Sequence, residues 1–347
     1  MVLVPATVDL LQRPLRDLRI SVTDRCNLRC PYCMPREVFG SDFRFMDRSE
    51  LLSFEEIVRV ARAGVQHGVR KVRLTGGEPL LRRELASLVE MLAQVRGIED
   101  IALTTNGTAL AAHAQTLAQA GLDRVTVSLD ALEEKAFHSM SDSRYPLARV
   151  LAGIDAAHHA GLSPVKVNMV VRRGVNDHCV LDMADYFRGR PETLRFIEYM
   201  DVGESNGWNI AEVVPASELL ACIESRWSLE RLAPSHEGEV ATRWAYSDGA
   251  GEIGVIHSVS QPFCGGCTRA RLSADGTLYT CLFANHGADL RALLRSGAGD
   301  AELAQRLADV WGGRSDRYSE LRALRHAREE QHRQPRAKRI EMSYIGG

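Results

Sequence analysis

Six of the eight cysteines in this 347-residue chain fall into two sets of three. The first set is Cys26, Cys30 and Cys33, spaced C-x3-C-x2-C within Thr23-Asp24-Arg25-Cys26-Asn27-Leu28-Arg29-Cys30-Pro31-Tyr32-Cys33-Met34. The second is Cys264, Cys267 and Cys281, spaced C-x2-C-x13-C. Three thiolates make a soft-metal site, and cysteine runs of this kind hold iron–sulfur clusters. A cubane has one more iron than a set of three cysteines can ligate, and an open metal position is a place for chemistry. Zinc is the rival reading. A structural zinc site takes four ligands, and His286 is the candidate to complete the second set. Cys179 and Cys222 sit in helical patterns, where a buried free thiol is the default.

Composition narrows the class. The formal net charge is −2 with 25% charged residues, so global electrostatics argues against a nucleic-acid or membrane-surface binder, and an anionic ligand must be met by local basic residues. The first 18 residues contain Pro5, Asp9, Pro14 and Asp17 and lack a secretory pattern. No stretch approaches the ~18 apolar residues of a membrane span. A cytoplasmic protein is expected, in which cysteines serve metal or redox chemistry and not disulfides.

The elements that must position these residues follow a regular rhythm. Leu18, Ile20 and Val22 alternate as a strand leading into the first cysteine loop. Ser53 with Glu56 reads as a capping box opening a helix toward Val65. Strand 71–75 then runs into Gly76-Gly77-Glu78-Pro79, and strands are expected at 101–105, 124–129, 165–171 and 194–199, with helices between and after them. Six strand–helix units in succession predict parallel strands. Polar or glycine-rich sequence repeatedly follows the strand ends, which favours a barrel, whose strand ends converge on one mouth. The expected fold over residues 1–230 is α/β, with a barrel favoured over an open doubly wound sheet. Residues 231–347 are expected to form a C-terminal domain with the second cysteine set, a hairpin turning at Asp275-Gly276 and a mobile Gly-Gly tail.

The cysteine loop together with Gly76-Gly77-Glu78-Pro79 resembles the radical S-adenosylmethionine superfamily. Leu74-Thr75-Gly76-Gly77-Glu78-Pro79-Leu80, Phe196-Ile197-Glu198-Tyr199-Met200-Asp201, Phe263-Cys264-Gly265-Gly266-Cys267-Thr268-Arg269-Ala270-Arg271-Leu272 and the final Gly346-Gly347 are similar to the GTP 3′,8-cyclase family within it. The resemblance implies an incomplete (β/α)6 TIM-like barrel over residues 1–230, with the C-terminal domain covering its open side. It also implies two 4Fe–4S clusters, one on Cys26, Cys30 and Cys33 and one on Cys264, Cys267 and Cys281. It implies S-adenosylmethionine contacts at Tyr32, Gly77, Ser128 and Met200. It implies GTP contacts at Arg19, Arg73, Thr104, Lys166, Arg269, Ala270 and Arg271, and Lys71 and Arg195 are further candidates by their strand positions. The residues that act in catalysis would be Arg269, Arg271, Gly346 and Gly347. These types suit the ligand, because a triphosphate needs several cations and arginine bonds phosphate oxygens bidentately. In Arg73-Leu74-Thr75, Lys166-Val167-Asn168 and Arg195-Phe196-Ile197 the charges alternate with apolar residues, and a barrel lumen is a far less costly place for them than the space under the helices. No Gly-x4-Gly-Lys-Ser/Thr loop occurs, so GTP is not held as in a P-loop hydrolase.

The implied reaction is removal of the ribose 3′ hydrogen by a 5′-deoxyadenosyl radical and attack of C3′ on guanine C8, in molybdenum cofactor biosynthesis. The implied partners are a downstream cyclic pyranopterin monophosphate synthase, an electron donor and, as a candidate assembly, a second copy. Two other readings compete. A radical enzyme that modifies a peptide would share the first cysteine set but not need the basic residues. A zinc-binding interaction module would hold no sulfide.

Overall fold

The computed structural model describes residues 6–236, 238–322 and 339–346. β1 (Asp17–Ser21), β2 (Lys71–Thr75), β3 (Asp100–Thr105), β4 (Arg124–Ser128), β5 (Lys166–Val171) and β6 (Thr193–Glu198) lie side by side in chain order and all run parallel. Helices connect them: α1 (Phe54–Gln66), α2 (Leu85–Ala93), α3 (Leu110–Gln119), α4 (Glu134–Ser141), α5 (Leu147–His159) and α6 (Val180–Phe187), with α7 (Ala216–Glu224) after β6. The box at Ser53 forms as its sequence requires, with Glu56 N–H donating to Ser53 Oγ at 3.1 Å and Ser53 N–H to Glu56 Oε2 at 2.7 Å. Helix α4 escaped the sequence reading. Its polar surface hides a short buried face of Ala136, Phe137 and Met140.

Beyond β6 the chain returns to both edges of the same sheet. β7 (Leu229–Arg231), β8 (Thr242–Tyr246) and β9 (Glu252–Ile256) form a meander, with β9 parallel to β6. β10 (Arg269–Leu272) is parallel to β1, and β11 (Thr277–Tyr279) and β12 (Ala288–Asp289) follow antiparallel. Among the described residues the order is β12-β11-β10-β1-β2-β3-β4-β5-β6-β9-β8-β7, so the curved sheet does not close. The turn-rich sequence at 233–250 thus contains β8. That strand has few fully buried residues and a weak alternation, which is why its pattern does not stand out.

Period-two alternation sorts each strand into two faces. Leu18, Ile20, Val72, Leu74, Ile101, Leu103, Val125, Val127, Val167, Met169, Leu194 and Phe196 are buried in the one large apolar core beneath the helices. The opposite phase is polar and lines a cavity of about 580 Å³. α8 (Arg291–Arg295) and α9 (Asp300–Gly312) complete the outer layer, with α9 packed on α1. The end of the chain, expected as a mobile tail, has a seat: Met342–Ile345 form one helical turn, and Ser343 and Ile345 are buried.

Candidate active site

Cys26, Cys30 and Cys33 lie on the loop that leaves the C-terminal end of β1. Glu78, fully buried after β2, accepts from Thr105 Oγ1 at 2.7 Å and from Asn106 N–H at 2.7 Å. Asn106 Nδ2 in turn donates to Asn27 Oδ1 at 2.9 Å and faces Cys26 Sγ at 3.9 Å. Burial raises the Glu78 carboxyl to about 7 against these hydrogen bonds. Tyr32 donates to Asp130 Oδ2 at 2.8 Å, and Asp130 Oδ1 accepts from Val170 N–H at 2.8 Å. The loop is therefore pinned from β2, β3, β4 and β5. Glu78, Asn106 and Asp130 are not among the expected site residues, although each lies within three residues of a strand end.

Gly76 and Gly77 serve this loop in a way the sequence reading did not foresee. A Cβ at Gly76, where φ is +147°, would stand 2.5 Å from the Thr23 carbonyl oxygen, and one at Gly77 would overlap the Arg25 carbonyl. The group that needs the missing side chains is thus the cysteine loop's own backbone, since only glycine permits so close an approach. Gly77 still lines the cavity, together with Tyr32, Ser128 and Met200.

The second set enters at the other end. Cys264–Gly266 form a 3-10 turn just before β10, and β10 is parallel to β1, so this set flanks the N-terminal ends of strands whose C-terminal ends carry the first set. Cys281 joins it from the far end of antiparallel β11. All six cysteines line the same cavity. Burial pushes Cys26 up to about 11 and Cys281 to about 12, and Cys30 and Cys33 also rise. Burial acts on Cys267 in the same sense, but the Arg269 and Arg314 guanidinium groups bring it down to about 6.

Between the two sets stand the cations. In register across the strands, Arg271 pairs with Arg19 and Arg19 with Arg73. Arg73 Nη1 donates to Thr104 Oγ1 and Thr126 Oγ1, both at 3.1 Å, and Arg195 Nε to Asn168 Oδ1 at 3.0 Å. Lys71 is 3.1 Å from Asp100, which also pairs with Arg124. Burial and mutual repulsion lower Arg19 to about 9, Arg73 and Arg195 to about 10, and Lys166 to about 8, with Arg271 also lowered. Like charges brought this close in one cavity call for a polyanion between them. Arg124 lines the same space; Arg124-Val125-Thr126-Val127-Ser128 carries the alternation by which the sequence could have disclosed it. Ala270 does not face the cavity: its side chain has the opposite phase and is buried in the apolar core. Gly346 does reach the site, its carbonyl accepting from Arg271 Nη1. Gly347 lies outside the described residues.

Both cysteine sets suit clusters better than single ions. A tetrahedral zinc with Zn–S near 2.3 Å draws its sulfurs to about 3.8 Å of one another. Among the described residues, the three side chains whose ligand atoms all lie within 4.8 Å are Glu133, His178 and Cys179, and neither cysteine set closes so tightly. His286 is exposed and turns to Asn285.

Residues 20–187 match the radical SAM superfamily and residues 192–320 match Molybdenum Cofactor Synthesis C. A GTP 3′,8-cyclase of Acidothermus cellulolyticus is 56% identical, with 98% of each chain covered. Those of Xanthomonas axonopodis pv. citri and Staphylococcus epidermidis are 52% and 48% identical, covering 96% and 98% of this chain and 97% and 98% of theirs. The chain belongs to the GTP 3′,8-cyclase family. As radical SAM family members its relatives use 4Fe–4S clusters and S-adenosylmethionine, and the two cysteine sets fit that requirement. The fold is also that of Streptococcus suis SuiB bound to its precursor peptide SuiA, with a TM-score of 0.60 at 14% identity over 90% of this chain and 66% of that one. That likeness extends to the fold alone.

Proposed function

We propose that this chain is a GTP 3′,8-cyclase of molybdenum cofactor biosynthesis, joining ribose C3′ to guanine C8 to form (8S)-3′,8-cyclo-7,8-dihydroguanosine 5′-triphosphate. The observation that carries the reading is a group of half-buried and buried cations held between two three-cysteine sets in a single cavity, in a chain that matches cyclases over 98% of its length. Cys26, Cys30 and Cys33 would hold the first cluster, which with S-adenosylmethionine and an electron from a donor would supply the radical chemistry that removes the ribose 3′ hydrogen.

The protein's task is position and the exclusion of water. Cys26, Cys30 and Cys33 would ligate the first cluster, with Tyr32, Gly77, Ser128 and Met200 around S-adenosylmethionine. Arg19, Arg73, Thr104, Lys166 and Arg195 would receive the triphosphate and ribose. Thr104 and Thr126 aim Arg73, so its fork is oriented before substrate arrives, which lowers the entropic cost of binding. Arg269 and Arg271 would meet the guanine end beside Cys264, Cys267 and Cys281. Gly346 would bring the tail to Arg271, and Gly347 would act with it in catalysis. Residues 1–230 would form the part that makes the radical and 231–347 the part that selects GTP.

No helix among the described residues is long and apolar enough to cross a membrane; a cytoplasmic location is part of the proposal. A downstream cyclic pyranopterin monophosphate synthase, an electron donor and a homodimer belong to the same proposal. The test is anaerobic incubation of iron- and sulfide-reconstituted protein with GTP, S-adenosylmethionine and a reductant. The cyclised triphosphate is expected by mass spectrometry with one 5′-deoxyadenosine per product; reductive cleavage with no GTP-derived product would overturn the reading.

A further inference from the structure

The turn that carries Cys264 and Cys267 is gripped by a buried ionic knot that joins the segment before β1 to the segment after α9, with Arg314 and Asp316 also lining the cavity. Asp9 Oδ2 accepts from Arg13 Nε at 2.7 Å and lies 3.3 Å from Arg314 Nη1. Arg13 Nη1 donates to the carbonyls of Cys264 and Asp316, both at 2.8 Å. Arg314 Nη1 donates to the Cys267 carbonyl at 2.7 Å, and its Nη2 to Cys267 Sγ at 3.1 Å. The side chains of Arg13 and Arg314 are only 2% exposed and that of Asp9 is fully buried. Trp311, at the end of α9, lies under the Arg314 guanidinium and donates from Nε1 to the Arg13 carbonyl at 3.1 Å. Asp316, one-third exposed, stands 3.5 Å from Arg314 Nε.

Burying two guanidinium groups is costly unless their donors are used. A neutral thiol is a weak acceptor, so giving it a charged N–H would waste that donor; a thiolate is a strong one. Arg269 and Arg271 come from β10, whereas Arg314, which also lines the cavity, comes from the segment after α9 and bonds both the carbonyl and the sulfur of Cys267.

We propose that Arg314, aimed by Asp9 and Trp311, is a positioning residue for the second cluster that also raises its reduction potential through the N–H···S bond to Cys267. This rests on the cluster reading of Cys264, Cys267 and Cys281 given above. Hydrogen bonds and positive charge at a ligating sulfur favour the reduced, more negative cluster, and so shift its potential upward. Arg13 acts on the backbone of the same turn and contributes geometry rather than charge at sulfur.

The test is an EPR-monitored potentiometric titration of the reconstituted holoenzyme, with iron and sulfide counted first. Wild-type protein should hold two clusters and show two reduction waves; a single cluster there would overturn the cluster reading and this proposal with it, whereas two clusters with unmoved waves would overturn the proposal alone. In Arg314→Gln one wave should move to lower potential while the other stays in place. Arg314→Lys, which keeps the charge but not the fork, should move the same wave less and guards against loss of the cluster in the first variant. Asp9→Asn should shift that wave in the same direction. Arg306→Gln, an exposed loss of the same charge on α9, should move neither. Two unmoved waves in both Arg314 variants, with full iron content, would overturn the proposal.

Discussion

At the scale of single residues, the cavity is defined by groups that are uncomfortable without a ligand. Lys166 illustrates the consequence. Burial and the surrounding arginines bring it from 10.5 to about 8, so the folded protein releases its proton earlier than the unfolded chain does. Between these values the unfolded state binds more protons, and stability of the ligand-free protein from this group rises with pH. Affinity for a triphosphate should do the reverse, falling as the charge is lost above pH 8. Isothermal titration with GTP between pH 7 and 9.5 should show weaker binding at high pH in wild-type protein and a flatter profile in Lys166→Met. Equal profiles would take Lys166 out of the anion site. Gly77 gives a second residue-level prediction. In Gly77→Ala the added methyl overlaps the Arg25 carbonyl, and the cysteine loop must shift. A destabilisation on the order of 2–3 kcal/mol is expected, together with loss of about half the iron; intact iron content would show that the loop tolerates the methyl.

At the scale of elements, buried acids at strand ends act as knots that hold loops in place. Glu198, at the end of β6 and fully buried, accepts from Ala216 N–H at the start of α7 at 2.7 Å, from Val259 N–H at 2.7 Å and from Ser260 N–H at 2.8 Å. It thereby joins β6 and α7 to the segment that descends toward Cys264. Glu198→Ala would leave several buried donors unsatisfied, each costing about 1–3 kcal/mol. A fall of roughly 3–5 kcal/mol in urea unfolding is expected, with the second cluster more affected than the first. A variant within 1 kcal/mol of wild type would mean that water replaces the carboxylate without loss. Glu78 plays the corresponding part for the first cysteine loop, through Asn106 and Asn27.

At the scale of the molecule, the tail spans the opening that the unclosed sheet leaves. Glu341 accepts from Glu204 N–H at 3.0 Å and Ser205 Oγ at 2.8 Å on the loop after β6, Tyr344 donates to Asp275 Oδ2 at 2.5 Å beyond β10, and Gly346 meets Arg271 and Thr75. It therefore ties the loop after β6 to the turn between β10 and β11. Removing Gly346 and Gly347 should leave both clusters and S-adenosylmethionine cleavage in place while abolishing the cyclised product. Gly346 holds φ at +72°, and a Cβ there would overlap Thr75. Gly346→Ala should therefore weaken product formation at least tenfold with iron content unchanged; unaltered turnover in either variant would reduce the tail to packing.

Much of this was legible in the chain as written. The six parallel strands show in their alternation, because one phase must meet apolar helices and the other a polar lumen, and period two survives in any such strand. The capping box at Ser53, the turn at Asp275-Gly276 and the two cysteine sets are local patterns whose physics needs no distant partner. What the tertiary structure alone decided is how distant pieces meet. That β10 docks beside β1, so that the cysteine sets take opposite ends of one lumen, depends on pairing across some 250 residues that no local pattern encodes. Ala270 lies beside two lumen arginines in sequence, yet strand phase turns it into the core. Arg13 and Arg314 each read as an ordinary surface charge, because a cation's burial is set by what packs over it, and here Asp9, Trp311 and the Cys264–Cys267 turn arrive from three separate parts of the chain.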